Sequence, residues 1–266
     1  MNISYRWLKE LARFDLSPQE LAVLLTDTGL EVESLEHFEP VKGGLKGVFV
    51  GHVLHCEKHP DADRLSLTRV GIGKDEDLQI VCGAPNVRTG QKVLVATVGT
   101  TLHTEKGSFE IKEAKIRGQI SRGMICAEDE LGLGTSHDGI MVLPGDAVPG
   151  TPAAAYLGFE DDWVFTIGLT PNRIDAASHL GVARDVVAVL NHRSGNRHAS
   201  VDFPDLSRFS VSDKTLHIPV TIQSPEACTR YSGLTIRGVR VQESPRWLKD
   251  RLMAIGQKPI NNVVDI

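Results

Sequence analysis

The residues best suited to chemistry lie in a short glycine-containing stretch, Ile116 to Met124. It combines the cations Arg117 and Arg122 with the hydroxyl of Ser121, and its glycines allow the backbone to approach a ligand closely. Such groups commonly contact the phosphates and sugars of a nucleic acid. On residue type alone, a nucleic-acid contact and a glycine-rich β-turn with incidental charges are equally favoured.

A second group of residues, around His55, has side chains that are typical metal ligands. On a strand, successive side chains point to opposite faces. His52 and Cys56 would then face one way and His55 the other, with His59 further along the strand. The set cannot converge without a bend, so solvated or edge histidines are favoured over a structural zinc site.

Other reactive residues give no readable enzyme chemistry. Ser136, His137 and Asp138 are adjacent in sequence, and immediate neighbours do not present the geometry of a catalytic triad. The cysteines contain no C-x-x-C pair, which argues against a disulfide framework and a zinc knuckle. We therefore predict no catalytic residue and no metal site in this chain.

The charge balance restricts how the chain could bind a nucleic acid. Its formal net charge is −5, and the stretch 39–151 holds thirteen basic and fifteen acidic residues. Proteins that hold nucleic acid alone usually carry a basic excess, and many add aromatic platforms for bases. Only Phe49 and Phe109 are aromatic in this stretch. Any RNA contact is therefore predicted to be local, directed at the backbone and weak by itself.

The elements that must position these residues are mostly strands. Short β-rich runs alternate with turn clusters through about a hundred residues, as in a small closed barrel of the OB type. The predicted strands are Val48–Leu54, Leu65–Val70, Leu78–Cys82, Lys92–Val98, Phe109–Ile116 and Ile140–Leu143.

Helical patterns flank the predicted barrel. Two helices precede it, the second opened by a capping box at Ser17–Glu20 with proline at its first position. After Pro152 helical signals return, and Ser178 is placed to cap a helix that Gly195 ends.

The last part of the chain is predicted to begin a new β-containing section. Its predicted strands are His217–Ile222 and Tyr231–Val241, followed by a helix opened by Ser244 and Pro245. A further strand is predicted from Ile260 to Ile266, and no turn or cap follows it. This pattern is typical of an unfinished domain.

Three stretches match one known pattern in order and spacing: His59–Leu65, Ile80–Val87 and Ile116–Gly132. Together they resemble the tRNA-binding OB domain attached to several aminoacyl-tRNA synthetases. The flanks are similar to the β subunit of bacterial phenylalanyl-tRNA synthetase, so the resemblance covers essentially the whole chain. The flanking stretches are Ser4–Leu8, Thr28–Glu33, Thr170–Asp175, Gly181–Asp185 and Gln257–Asp265.

The resemblance implies a multidomain α+β architecture. An OB-type barrel, 39–151, would be inserted into a discontinuous helical (α+β) domain formed by 1–38 and 152–195. A linker, 196–213, would lead to the start of an α/β editing domain of the B3/B4 type at 214–266. The family's editing domain hydrolyses mischarged tyrosyl-tRNA, and most of its pocket would lie beyond Ile266, as would the magnesium-binding positions of the subunit.

The resemblance also implies partners and cofactors. The intact enzyme would use ATP and Mg²⁺ to charge phenylalanine-specific tRNA, as an α2β2 assembly with an α subunit that holds the aminoacylation site. This fragment would bind neither cofactor and contact no DNA or membrane. A cytoplasmic location is expected from the sequence itself, because charged residues interrupt the apolar residues of Met1–Glu10, which therefore has no secretory signal core. Its tRNA-binding residues would be Lys58, Arg64, Lys112, Arg117 and Arg122 as phosphate partners, with Asn86 and Ser121 as hydrogen-bonding groups.

Two other functions remain open on the sequence. One is a free-standing tRNA-binding or RNA-chaperone protein, although a lone barrel needs neither the Pro171 stretch nor the Val182 stretch. The other is an assembly module whose barrel docks protein rather than RNA. The near-neutral charge and scarce aromatic residues keep this second alternative open.

Overall fold

A computed structural model of the protein describes residues 1–73, 76–104, 107–196, 199–216 and 218–266. The helices are α1 (Tyr5–Leu11), α2 (Pro18–Asp27), α3 (Ala153–Tyr156), α4 (His179–Ser194) and α5 (Arg246–Ala254). The strands before residue 100 are β1 (Asn2–Ser4), β2 (Glu31–Phe38), β3 (Val48–His59), β4 (Ala62–Gly71), β5 (Leu78–Cys82) and β6 (Lys92–Thr97). The later strands are β7 (Thr101–Thr104), β8 (Gly107–Glu110), β9 (Ala114–Ile116), β10 (Gln119–Ser121), β11 (Gly123–Ile125), β12 (Val142–Leu143) and β13 (Asp162–Gly168).

The chain divides into two compact units, and the first combines Met1–Glu36 with Trp163–Ile266. Its sheet has the order β1-β13-β2, with β1 and β13 antiparallel. Helices α1, α2 and α4 contribute Leu8, Leu21 and Val182 to a core that also buries Phe165 of β13. No helix of the described residues is long and apolar enough to cross a membrane.

The helix boundaries follow from local capping chemistry. Ser17 Oγ accepts from the Glu20 amide at 3.2 Å, and the Glu20 carboxylate accepts from the Ser17 amide at 2.7 Å, which confirms the predicted capping box. Ser178 Oγ accepts from the Gly181 amide at 3.0 Å. Gly195, at φ 67°, ends α4 in the left-handed conformation that glycine adopts without strain.

Gly181→Ala is expected to destabilise the protein, although alanine normally favours a helix over glycine. A Cβ atom at position 181 would lie 2.2 Å from the Asp175 carbonyl oxygen and 2.7 Å from Ala176 Cα. Both are backbone atoms of the short turn before α4, so the clash requires the turn to move. We expect a loss of about 1–3 kcal/mol in the free energy of unfolding, measured by urea denaturation.

The matched control for this substitution is Gly145→Ala. A Cβ atom there meets no atom within 4 Å, so stability should change little. An increase in stability for Gly181→Ala would contradict the close approach between α4 and the preceding turn.

The second compact unit, His37–Asp162, is built on a nearly closed, barrel-like sheet. Its strand order is β11-β6-β3-β4-β5, and β12 also pairs with β6. The open edge is bridged where the Arg122 amide donates to the Gln79 carbonyl at 2.8 Å. Val50, Leu94 and Val95 are fully buried inside it. This arrangement, with mixed α and β content, fits the predicted OB-like fold.

One predicted strand of the barrel is interrupted. The run Phe109–Ile116 was expected to be continuous, but β8 ends at Glu110 and β9 begins at Ala114. The buried residue Ile111 still contacts the end of β7, since its amide donates to the Thr100 carbonyl and its carbonyl accepts from the Gly99 amide, and residues 111–113 are irregular. The chain therefore leaves β7 and β8 and starts a separate hairpin.

The structure also contains a strand that the sequence patterns did not predict. Helical signals were expected between Pro152 and Gly195, yet Asp162–Gly168 forms the central strand β13 of the first unit. Its apolar run is short, and periodicity alone does not distinguish a short buried strand from a helical segment.

The strands predicted near the end of the chain are absent from the described residues. The segments 218–222, 231–241 and 260–266 are irregular, and His217 lies outside the described residues. Ile218, Leu234 and Val241 are each more than half exposed. A strand requires a ladder of backbone hydrogen bonds with a partner, and these described segments form no such ladder with one another; Asn262 Nδ2 donates to the Arg240 carbonyl at 3.0 Å as a single contact between two of them. The predicted helix is present as α5.

Candidate nucleic-acid interface

A tight hairpin presents Arg117 at the surface of the barrel unit. Strands β9 and β10 pair through Ile116 and Gln119, which leaves a two-residue loop of Arg117 and Gly118. Their φ angles are 49° and 91°. Positive values at both positions are characteristic of the type I′ turn, whose twist matches that of a hairpin. The predicted glycine-rich turn therefore exists, and it exposes Arg117 at its tip.

A buried histidine connects this hairpin to the turn between β3 and β4. His59 is only 4% exposed, and its Nδ1 accepts from the Asp61 amide at 3.1 Å. The ring proton is therefore on Nε2, which donates to the Ile116 carbonyl at 3.3 Å. This contact brings Ile116, next to Arg117, to the strand end that carries Lys58.

The end of the barrel formed in this way carries basic side chains without acidic partners. Lys58 and Arg64 flank the β3–β4 turn, and Lys115 and Arg117 belong to the hairpin; all four are exposed. Within the described residues, no carboxylate forms an ion pair with any of the four. We call Lys58, Arg64, Lys115 and Arg117 the basic end. Unpaired surface cations are available to bind phosphate groups.

Two of the predicted phosphate partners do not belong to the basic end. Lys112 Nζ lies 3.6 Å from Glu110 Oε2, and Arg122 Nε lies 3.2 Å from Glu113 Oε2. Each cation is therefore partly neutralised by a carboxylate on its own part of the chain. Lys112 and Arg122 are therefore weaker candidates for phosphate contact than Lys58, Arg64 and Arg117.

Asn86, predicted to hydrogen-bond tRNA, instead holds the barrel together. Its Nδ2 donates to the Ile140 carbonyl and its Oδ1 accepts from the Ile140 amide, both at 2.9 Å. The neighbouring residues Cys82–Pro85 line a cleft of about 330 Å³ with Ala127 and Glu130. Two of the stretches that carry the family pattern therefore pack against each other.

Ser121, also predicted to hydrogen-bond tRNA, is buried. Its Oγ accepts from the Val81 amide at 3.1 Å and donates to the Gly123 carbonyl at 3.1 Å. It is 4% exposed. The hydroxyl therefore closes the barrel beside β5, and it is not positioned to meet a ligand at the surface.

Ser121→Ala is accordingly expected to destabilise the barrel by about 1–3 kcal/mol, because the Val81 amide loses its acceptor in a partly buried place. Urea denaturation measures this effect. Thr89→Ala, which removes an exposed hydroxyl from the same unit, is the control and should change stability little. Equal stability of the two variants would show that the Ser121 hydroxyl is dispensable for closure.

Sequence reasoning missed Lys115 and the role of His59. The pair Arg117–Gly118 is not one of the usual two-residue hairpin loops, since only its second residue is a glycine, and so the hairpin that places Lys115 beside the basic residues has a weak sequence signal. No local signal joins His59 to Ile116, since they lie 57 residues apart.

Comparison with protein families assigns residues 48–152 to the "Putative tRNA binding domain". Residues 227–266 match the B3/4 domain. The first match contains the whole basic end and both motif stretches that line the cleft.

Comparison of this chain with curated proteins gives a result that agrees with the family matches. The chain is 54% identical over 266 residues to the phenylalanine–tRNA ligase beta subunit of Bacteroides fragilis and 52% identical to that of Bacteroides thetaiotaomicron. It is 44% identical over 277 residues to the subunit of Geobacillus kaustophilus. The chain is similar to phenylalanine–tRNA ligase beta subunits along its whole length.

All of this chain is covered in each comparison, but it spans only 32% of the length of these relatives. The tRNA-binding and B3/4 matches fit an N-terminal fragment of a phenylalanine–tRNA ligase beta subunit. The resemblance inferred from the motifs is thereby confirmed.

Proposed function

We propose that this chain is part of a phenylalanine–tRNA ligase beta subunit and supplies accessory contacts to tRNA during aminoacylation. The observation that carries the proposal is the basic end, where His59 joins two segments that bear exposed cations without carboxylate partners in the described residues. These cations lie within the stretch that matches a tRNA-binding family.

The contact would be directed at the RNA backbone. Phosphate groups need cations, whereas base recognition in single-stranded RNA needs stacking platforms. The basic end is formed by lysine and arginine, and Phe109, at 41% exposure, belongs to β8 outside it. The contact would therefore position tRNA without selecting its sequence.

The domain arrangement follows the same proposal. The barrel, 39–151, would be an insertion in a discontinuous domain formed by 1–38 and 152–195. After a linker at 196–213, the stretch 214–266 would begin the editing domain, consistent with the B3/4 match at 227–266. The irregular, exposed segments there would gain strand partners from other parts of the subunit.

The assembly and cofactors of the intact enzyme are proposed by similarity. An α subunit would join this subunit in an α2β2 complex in the cytoplasm, and phenylalanine-specific tRNA would be the substrate. ATP and Mg²⁺ would be bound elsewhere in the enzyme. Among the described residues, His37, Glu39 and Asp161 form the group whose ligand atoms could hold a metal ion.

The test is a titration of the full 266-residue chain with phenylalanine tRNA at several salt concentrations. Each phosphate contact should contribute about −0.7 to −0.9 to the slope of log affinity against log salt concentration. Binding that is absent at low salt, or that does not respond to salt, would reject the phosphate-contact proposal. If the barrel is instead an assembly module, tRNA binding should be absent at low salt and the chain should bind a protein partner.

A further inference from the structure

A group of metal-binding side chains lies away from the basic end, in the unit His37–Asp162. His37, Glu39 and Asp161 each offer one ligand atom, and these atoms all lie within 4.8 Å of one another. His37 Nε2 and Asp161 Oδ2 are 3.5 Å apart. The sequence drew attention to histidines and a cysteine between 52 and 59, and those residues do not form such a group.

The fold explains how residues more than a hundred positions apart meet here. His37 is near the end of β2, Glu39 follows that strand, and Asp161 directly precedes β13. Strands β2 and β13 are hydrogen-bonded neighbours. The three side chains therefore lie where the chain enters and leaves the unit.

The Glu39 carboxylate is held in place by a backbone hydrogen bond. Its Oε2 accepts from the Gly43 amide at 2.9 Å. Hydrogen bonds of this kind orient the ligands of metal sites. Lys46 Nζ lies 3.5 Å from Oε1, but the Lys46 side chain is 80% exposed and can turn away.

We propose that His37, Glu39 and Asp161 form a binding site for a divalent transition-metal ion, with Zn²⁺ as the probe. One imidazole and two carboxylates are ligands that zinc accepts, at about 2.0–2.2 Å, and solvent would fill the remaining position. The imidazole favours such ions over Mg²⁺, which prefers oxygen ligands. His37 and Asp161 are partly exposed, so small side-chain rotations can bring the ligand atoms closer together.

The experiment is a calorimetric titration of the full chain with Zn²⁺ in a non-chelating buffer. We expect one site that is lost or weakened more than about tenfold in His37→Ala, Glu39→Gln and Asp161→Asn. Glu39→Gln keeps an acceptor for the Gly43 amide, so it tests the ligand charge with little change to the fold. Zn²⁺ should also raise the Tm of the wild-type chain, because it binds the folded state.

The matched control is His55→Ala. His55 and Glu57 form an exposed pair at 3.3 Å, and no third ligand joins them among the described residues. This variant should bind Zn²⁺ as the wild type does, and a tenfold excess of Mg²⁺ should not displace the metal. Unchanged affinity in His37→Ala would overturn the proposal and assign the metal to other groups, such as the partly exposed thiols Cys56 and Cys228.

Discussion

The triple variant in which Lys58, Arg64 and Arg117 are each replaced by glutamine is expected to bind tRNA roughly 10- to 100-fold more weakly. Each of the three is exposed and without an acidic partner in the described residues. These three side chains can therefore bind phosphate groups without first losing an ion pair with a carboxylate of the protein. The slope of log affinity against log salt concentration should become less steep by roughly two to three, because three contacts that release counterions are lost.

The control for this prediction is the double variant Lys112→Gln with Arg122→Gln. These cations belong to the same unit as the basic end, but Glu110 and Glu113 already pair with them. Their removal should change affinity by less than about threefold, since surface cations in ion pairs contribute little. Circular dichroism and thermal melting should confirm that both sets remain folded.

The salt dependence separates a direct contact from a general electrostatic effect. The chain carries a net charge of −5, so it offers little long-range attraction to RNA. Local contacts should therefore dominate, and the two variants should differ in slope as well as in affinity. Equal losses in the triple and double variants would contradict the assignment of the contact to the basic end.

The parts of the fold that depend on local chemistry could be predicted from the sequence. The strand Leu78–Cys82 and the capping box at Ser17 were predicted with the residues that form them. In each case the signal lies within a few neighbouring residues, as a β-rich run between turns or as a cap three residues from its partner.

Features that depend on distant contacts could not be predicted in this way. Whether Arg122 is free or paired depends on where the chain places Glu113, which lies nine residues earlier and 3.2 Å away in the structure. Likewise, β13 lies between β1 and β2, and its partners are more than a hundred residues away in sequence. Residue type suggested Asn86 and Ser121 as ligand contacts, but only their hydrogen bonds reveal that they hold the barrel together.

A second large effect is expected in acid, where the first unit should lose stability as the pH falls from 6.5 to 4. His179 stacks on Trp7 with ring centroids 4.1 Å apart, and its Nε2 accepts from the Ser4 amide at 2.9 Å. Burial, and to a lesser extent the charge of Arg251, lower the pKa of His179 to about 4.

The direction of the effect follows from proton binding. Above pH 6.5 His179 is neutral in both states, so it costs no stability. Between pH 6.5 and 4 the unfolded chain binds a proton that the folded chain does not. The free energy of unfolding therefore decreases as the pH is lowered through this range. The loss is complete below pH 4 and amounts to about 3 kcal/mol. The pKa of Asp175, which pairs with Arg173, is lowered from 3.8, so its contribution is lost at lower pH.

His179→Gln should be less stable at neutral pH, since it lacks the stacked ring, but its stability should be nearly independent of pH between 6.5 and 5. Below that range carboxylates such as Glu20, whose pKa is lowered by its hydrogen bonds with Ser17, add their own pH dependence. Arg251→Gln should raise the pKa of His179 and reduce the pH dependence, because Arg251 lies 5.6 Å from the Trp7 ring and adds a positive charge beside the histidine. Arg246→Gln is the control on the same helix, since Arg246 pairs with Asp250.

Urea denaturation from pH 4 to 7 measures these stabilities, and nuclear magnetic resonance titration of the His179 ring measures its pKa directly. The two measurements must agree, since the pKa difference between folded and unfolded states sets the pH dependence. If His179→Gln kept the wild-type slope while the ring titrated near 6.5, the contacts with Trp7 and Ser4 would not keep this histidine neutral. A titration near pH 4 with a His179→Gln profile that is flat between pH 6.5 and 5 would establish that docking of α1 against α4 requires an uncharged ring.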